Sequence, residues 1–165
     1  MTALTTIYDS FLDSITDDMY MELTKSETES LLFSLFQNAL PWFEFPRFDV
    51  YNFDTDLMEY NCTLTREEIK IISTYMIVEW LGQQLASVEV ARMKYSGSDF
   101  KFTSQANHMH KLKDLQKEYE RKGFHLQRLY KRRKVDRNGI MRSTFGSIME
   151  PPSYEINSNN EATVI

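Results

Sequence analysis

The side chains that could do chemistry are few, and their spacing works against each use. Histidines stand at 108, 110 and 125, and the single cysteine is Cys62. A structural zinc site needs about four Cys, His or carboxylate ligands converging on one point. His108 and His110 are two apart in a helical stretch, so they point to different sides. All three histidines read as solvent-facing. The glycines at 82, 97, 123, 139 and 146 are scattered and form no phosphate-cradling loop. No serine sits in a nucleophile-elbow setting. Asp17-Asp18 and Glu67-Glu68 are adjacent carboxylates, and adjacent helical residues do not face each other. The expectation is therefore no catalytic residue, no metal and no cofactor: a chain that is not an enzyme.

What the sequence does carry is sorted charge. Residues 1–60 hold twelve acids, among them Asp9, Asp13, Asp17, Asp18 and Glu22, and two bases, Lys25 and Arg47. Residues 111–134 hold ten bases and three acids, ending in Lys131-Arg132-Arg133-Lys134. The formal net charge of −5 hides this polarity. A subunit acidic at one end and basic further along can join a copy of itself head to tail, and such heterologous contacts build rings or filaments. The basic stretch leaves three readings open. It is a solvated face, the complement of an acidic protein surface, or a binder of phosphate backbones through Lys111, Lys113, Lys117, Arg121, Lys122, Arg128 and Lys131 to Lys134. Tyr119, Phe124 and Tyr130 are interleaved with these bases. Against nucleic acid stand the acidic balance of the whole chain and the lack of a recognised binding motif.

Length and composition set the frame for these residues. At 165 residues the chain has the size of one domain with a core of its own. Five Gly and four Pro are few for a turn-rich all-β fold. One cysteine forbids an internal disulfide and suits a reducing cytoplasm. The first residues lack the basic and apolar regions of a signal peptide. The most apolar run, Ile71 to Leu81, contains Glu79 and falls far short of the ~20 residues a membrane helix needs. A soluble product assembled inside a cell, with no membrane partner, is expected.

The elements that must position the charges follow from periodicity. Ile7, Phe11, Ile15 and Met19 recur every fourth residue, which predicts an amphipathic helix over 5–20. Thr24-Lys25-Ser26-Glu27 is a capping-box pattern before the stripe Leu31, Leu32, Leu35, Phe36, Ala39, Leu40. Pro41 ends that helix. Residues 42–53 are rich in aromatics and alternate around Pro46, so an extended segment lying across the helices is expected, with any strand short or at an edge. Residues 52–63 read as loop. Thr65-Arg66-Glu67-Glu68 is a second capping box, and 66–93 is apolar on most faces, as a buried central helix is. It would be about 42 Å long, with Gly82 as a possible bend. Glu79, the lone acid in its most apolar part, is expected to reach an edge or pair with a base. Residues 94–103 read as loop. Ser104 would cap a helix carrying Ala106, Met109, Leu112, Leu115 and Tyr119 on its apolar face, with Gly123 terminating it. Asn138-Gly139 is a strong hairpin signal, flanked by strands at about 126–135 and 140–146. The tail from Pro151-Pro152 has little core material and is expected to be disordered when free.

The fold class is thus mainly α: a helical bundle with a long central helix, a short aromatic extended segment, and a C-terminal β-hairpin plus flexible tail. The divisions are 1–123 helical domain, 124–150 projecting hairpin and 151–165 tail. There are no internal repeats.

Certain stretches resemble a known family. Leu64-Thr65-Arg66-Glu67-Glu68-Ile69, Val78-Glu79-Trp80-Leu81 and Met93 through His108 (Met-Lys-Tyr-Ser-Gly-Ser-Asp-Phe-Lys-Phe-Thr-Ser-Gln-Ala-Asn-His) resemble small virion proteins of tailed bacteriophages. More narrowly, the order and phrasing of segments over about 20–130 are similar to head–tail connector proteins, the adaptors of the phage neck. That resemblance implies a helical-bundle subunit assembled as a ring of about twelve copies beneath the portal. Members bridge the portal to the next neck or tail protein, and packaged DNA passes through the hole without sequence recognition. Their C-terminal segment often docks on the portal, which here is 124–165, with Arg128, Tyr130, Lys131, Arg132, Arg133, Asn138, Gly139 and Phe145 as the docking candidates. The aromatic segment 42–53 and the hairpin are additions to a minimal bundle. Between subunits, Asp13, Asp17, Asp18 and Glu22 of one copy are expected to meet Lys113, Lys117 and Arg121 of the next. The implied location is the virion neck, after assembly in the host cytoplasm. The alternatives are a small nucleic-acid-binding phage regulator using 111–134, and a tail-completion or minor capsid protein.

Overall fold

The structure, a computed structural model, describes residues 1–15, 24–94, 102–135, 141–143, 154–156 and 162–164. The described part is mainly helical, with a small three-stranded antiparallel sheet. The chain divides into two units, Met1–Arg128 and Leu129–Ile165.

In the first unit, strand β1 (Thr2–Ala3) leads directly into helix α1 (Leu4–Leu12). Leu4, Ile7, Tyr8 and Phe11 recur at helical spacing and are buried. The helix is shorter than the 5–20 expected. Ile15 lies beyond its end, and Met19 lies outside the described residues. Helix α2 (Lys25–Ala39) begins at the predicted capping box. The Thr24 backbone N–H donates to the Glu27 carboxylate at 3.0 Å, and the Glu27 N–H donates back to Thr24 Oγ1 at 3.4 Å. These bonds satisfy donors that a helix start otherwise leaves unpaired. At the other end Pro41 converts the last turn to a 3₁₀ turn, Leu40–Trp42.

Residues 52–63 are not the uniform loop expected. Strands β2 (Phe53–Asp54) and β3 (Glu59–Tyr60) flank a tight turn, and β3 pairs on its other side with β1, so the order is β1-β3-β2. The Asp54 carboxylate accepts the N–H groups of Asp56 and Leu57 at 2.8 and 3.0 Å, an Asx-type turn. Met58 completes the turn with φ of 53°. Strands of two residues leave no alternation to detect, which is why the pattern reads as loop.

An aromatic cluster joins sheet to helices. The Phe36 ring meets Tyr8, Phe33, Phe53 and Tyr60, with centroids 5.3 to 6.3 Å apart. Phe48 reaches the same Tyr60, whose hydroxyl donates to the Val50 carbonyl at 2.9 Å. Within the aromatic segment 42–53, residues 43–52 pack onto this core through bends and a turn at Asp49 rather than as an extended run, and form no strand of their own. Pro46 removes a ladder donor in its middle.

Helix α3 (Arg66–Lys94) matches the central helix closely and starts at the second capping box. Ile71 through Val78 are buried on every side, because α1 and α2 both pack against α3.

Helix α4 (Phe102–Arg132) is the largest correction. It begins before Ser104 and does not end at Gly123, so 126–132 are helix, not a hairpin flank. Gly123 is an interior glycine. A Cβ there would stand 2.7 Å from the Tyr75 ring, so glycine is what lets α3 and α4 approach. Tyr75 meets Gly123, while Gly82 lies next to Gln116. Contacts later on α3 fall earlier on α4, so the two helices run antiparallel.

In the second unit, β4 (Arg133–Val135) pairs antiparallel with β5 (Met141–Ser143). The Asn138-Gly139 turn expected between them lies outside the described residues. Within the tail, Tyr154–Ile156 (β6) pairs with Ala162–Val164 (β7), where a stretch without structure was expected. Tyr, Ile, Thr and Val in these strands are β-formers. Among the described residues, no helix is long and apolar enough to cross a membrane.

Candidate interaction site

Two features of the first unit bring charged side chains together. One is an open groove between α1 and the first turns of α3, of about 330 Å³. One wall is the outward side of α1, with Thr6, Asp9, Ser10 and Asp13, opposite its buried stripe. The other wall is Arg66, Ile69 and Lys70 of α3. Each wall follows helical spacing, so each presents its charges four residues apart: Asp9 and Asp13 on one side, Arg66 and Lys70 on the other. Ser10 of the α1 wall shares a hydrogen bond of 3.0 Å, Oγ to Oγ, with the buried Ser73 of α3. The Lys70 ammonium donates to Ser14 Oγ at 3.1 Å. Partial burial, then the nearby Lys122, push the Lys70 ammonium below its ordinary pKa, and Asp13 opposes them. No carboxylate stands within ion-pair distance of Lys70 or Arg66 among the described residues.

The second feature is the outward side of α4. Lys113, Lys117 and Arg121 are each four residues apart and all exposed. Beside them Asp114 and Glu118 form a shorter acidic row, also exposed. None of the five makes an ion pair among the described residues. Two further bases lie against rings of their own helix, Lys122 over Tyr119 at 5.1 Å and Arg128 over Phe124 at 6.0 Å.

What fixes α4 in place is a residue that sequence reasoning missed. Gln127 is buried. Its Nε2 donates to the Trp42 carbonyl at 2.8 Å and to the Tyr75 hydroxyl at 2.6 Å, and its Oε1 accepts the Glu44 N–H at 2.8 Å. One side chain thus ties the aromatic segment to both long helices. The Trp42 ring stacks on Tyr75, centroids 5.7 Å apart at 11°, and its indole N–H donates to Glu79 at 2.7 Å. Glu79 was expected at an edge or against a base, and its partner is this indole. No periodicity signals Gln127, because a polar residue on an apolar face looks like an interruption until its partners are in place.

No protein-family model matches this chain. No curated protein and no solved structure matches it either.

Of the expected contact residues, Lys113, Lys117 and Arg121 fall in one row, and Asp13 lies on the groove wall. Asp17, Asp18 and Glu22 lie outside the described residues. Of the expected docking residues, Arg128, Lys131 and Arg132 are exposed and Arg133 is half-exposed, whereas Tyr130 is buried. Asn138, Gly139 and Phe145 lie outside the described residues. His108, His110 and His125 are exposed and Cys62 is half-buried. Among the described residues no three Cys, His or carboxylate side chains gather as metal ligands would.

Proposed function

We propose that this chain is a non-enzymatic structural subunit of a tailed-phage head–tail connector. In this reading it joins copies of itself into a ring of about twelve between portal and tail. DNA passes through the ring without being read. The observation that carries the reading is a pair of charge rows on one subunit that make no ion pair among the described residues. Like charges four apart on a helix cost about 0.2–0.5 kcal/mol per pair, and the row Lys113, Lys117, Arg121 carries two such pairs. Asp9 and Asp13 stand at the carboxyl end of α1, where a negative charge opposes the helix dipole by about 0.3–1 kcal/mol. On α4 that cost is offset by Asp114 and Glu118, three residues before Lys117 and Arg121, so the gain on pairing is mainly at the acidic end of α1, which the basic row of a neighbouring copy relieves. An exposed ion pair is worth only about 0–1 kcal/mol. Apolar burial must supply the rest, for which Phe124, exposed on α4 seven residues after Lys117 and on the same face, is at hand. The helices then act as one bundle. The strand pair Arg133–Val135 and Met141–Ser143 becomes a projecting hairpin that meets the portal.

The decisive variant is Lys113→Glu with Lys117→Glu and Arg121→Glu. It should fold with an unchanged circular dichroism spectrum and fail to enter particles. Mass spectrometry of purified virions should count about twelve wild-type copies; a distinctly different count favours a tail-completion or minor capsid role. Normal assembly of the triple variant, or absence of the protein from mature particles, refutes the reading. A second reading draws on the same basic row and its neighbouring rings, Tyr119 and Phe124: a regulator that binds nucleic acid. It requires DNA affinity that falls steeply with salt.

A further inference from the structure

We infer that the groove between α1 and α3 receives α4 of a second copy of this chain, in one direction only. The inference rests on the ring reading above and names the surfaces that would meet. Both surfaces carry two charge rows at the same spacing. On the groove these are Asp9 and Asp13 along one wall and Arg66 and Lys70 along the other. On α4 they are Lys113, Lys117, Arg121 and, beside them, Asp114, Glu118. The α4 rows are offset by three residues, Asp114 to Lys117 and Glu118 to Arg121, so they form neighbouring ridges of one helix face. Every row advances about 6 Å per step, four residues at the helical rise. A helix laid along the groove therefore sets the basic ridge on the acidic wall and the acidic ridge on the basic wall.

Direction follows from the same arrangement. Turning the incoming helix end for end exchanges its left and right ridges. Lysines would then face Arg66 and Lys70, and carboxylates would face Asp9 and Asp13. Like-charge juxtaposition of this kind selects against the wrong docking mode. The chain cannot satisfy its own groove with its own α4, because that helix turns Gln116, Gly123 and Gln127 toward α3 and its charge rows outward. The Lys70 ammonium also has donors to spare, since among the described residues Ser14 is its one hydrogen-bond acceptor. Groove and ridge are different surfaces, so the contact is heterologous and propagates from copy to copy.

The test is charge exchange in the full chain, read by sedimentation velocity over a concentration series at low salt. The double variants Arg66→Glu/Lys70→Glu and Asp114→Lys/Glu118→Lys should each weaken self-association by at least about tenfold. The combined fourfold variant, with acids on both walls and bases on both ridges, should recover it. A fourfold variant no better than the doubles overturns the inference, as do doubles that associate like the wild type. If the doubles associate normally while Lys113→Glu/Lys117→Glu/Arg121→Glu does not, this groove is the wrong surface and the ring reading stands. If the triple variant also associates normally, both fall. A wild-type chain that stays monomeric throughout overturns the groove pairing alone, since a ring templated by a portal tolerates free monomers.

Discussion

Helices α3 and α4 run antiparallel and share contacts at Tyr75 and Gly82, yet they are composed by opposite rules. From Ile71 to Val78, α3 buries eight consecutive residues, including Ser73 and Thr74. Helix α4 buries isolated positions, such as Met109, Gly123 and Gln127, and exposes most of what lies between. The difference is one of neighbours. Helix α3 is covered by α1, by α2 and by α4, so apolar residues are favoured all round it. Helix α4 meets the core along one stripe, and its other side is available for charge. Most of the burial lies in the first helix and most of the exposed charge in the second.

That contrast breaks if truncation costs the same on both helices. Ile72→Ala on α3 should destabilise by about 2–5 kcal/mol, the usual range for a buried aliphatic. Lys117→Ala on α4 should stay within about 0.5 kcal/mol of wild type. Urea unfolding of both variants measures the gap.

Gln127 is the exception on α4. Gln127→Leu keeps the volume but strands the Tyr75 hydroxyl and the Glu44 N–H, each an unsatisfied group worth about 1–3 kcal/mol. A loss of about 2–4 kcal/mol is expected, with Trp42 fluorescence shifting as its carbonyl is released. An unaffected midpoint would mean the aromatic segment is held by packing alone.

The two helical glycines sharpen the comparison. Alanine at a mid-helix glycine usually gains about 1 kcal/mol. Gly82→Ala should show that gain, since the new methyl meets only the flexible end of Gln116, at 3.3 Å. Gly123→Ala should instead lose about 1–3 kcal/mol, because the methyl would meet the Tyr75 ring at 2.7 Å. Equal signs for the two substitutions would remove the close approach as the reason for Gly123.

The smallest effect concerns Tyr8, whose hydroxyl is buried with no hydrogen-bond partner among the described residues. Tyr8→Phe should be neutral or stabilising by up to about 1 kcal/mol. Burial, and then Glu29, raise this phenol above its ordinary value of 10.0, and burial does the same for Tyr60. The unfolded chain therefore ionises first. The contribution of these phenols is intact below pH 10 and is lost as pH rises from there toward their folded values. Stability of the wild type should fall above that pH, and Tyr8→Phe should flatten the fall.

Much of this fold is legible in local chemistry. Both capping boxes sit at the predicted helix starts, and Arg66–Lys94 agrees with its predicted span to one residue. These features depend on neighbours three or four positions away, which a sequence displays directly. The errors share a different origin. Gly123 reads as a helix end because glycine often is one; its actual reason is a ring forty-eight positions earlier. Phe53–Asp54 and Glu59–Tyr60 carry no strand signal of their own, because a two-residue strand is defined by its partner, here β3 for β2 and Thr2–Ala3 for β3. Lys113, Lys117 and Arg121 were readable as one row, whereas the groove was not, since its walls come from residues nearly sixty positions apart.

By itself, then, the sequence determined that the chain is mainly helical, where two of the helices begin, and that acids and bases lie far apart along the chain. The tertiary structure decided which of those charges share a surface, which glycine is a contact and which polar side chain is a tie. Periodicity and capping are set within a turn or two of helix. Proximity between distant segments is set by which apolar faces bury each other, and only the packed chain resolves that choice.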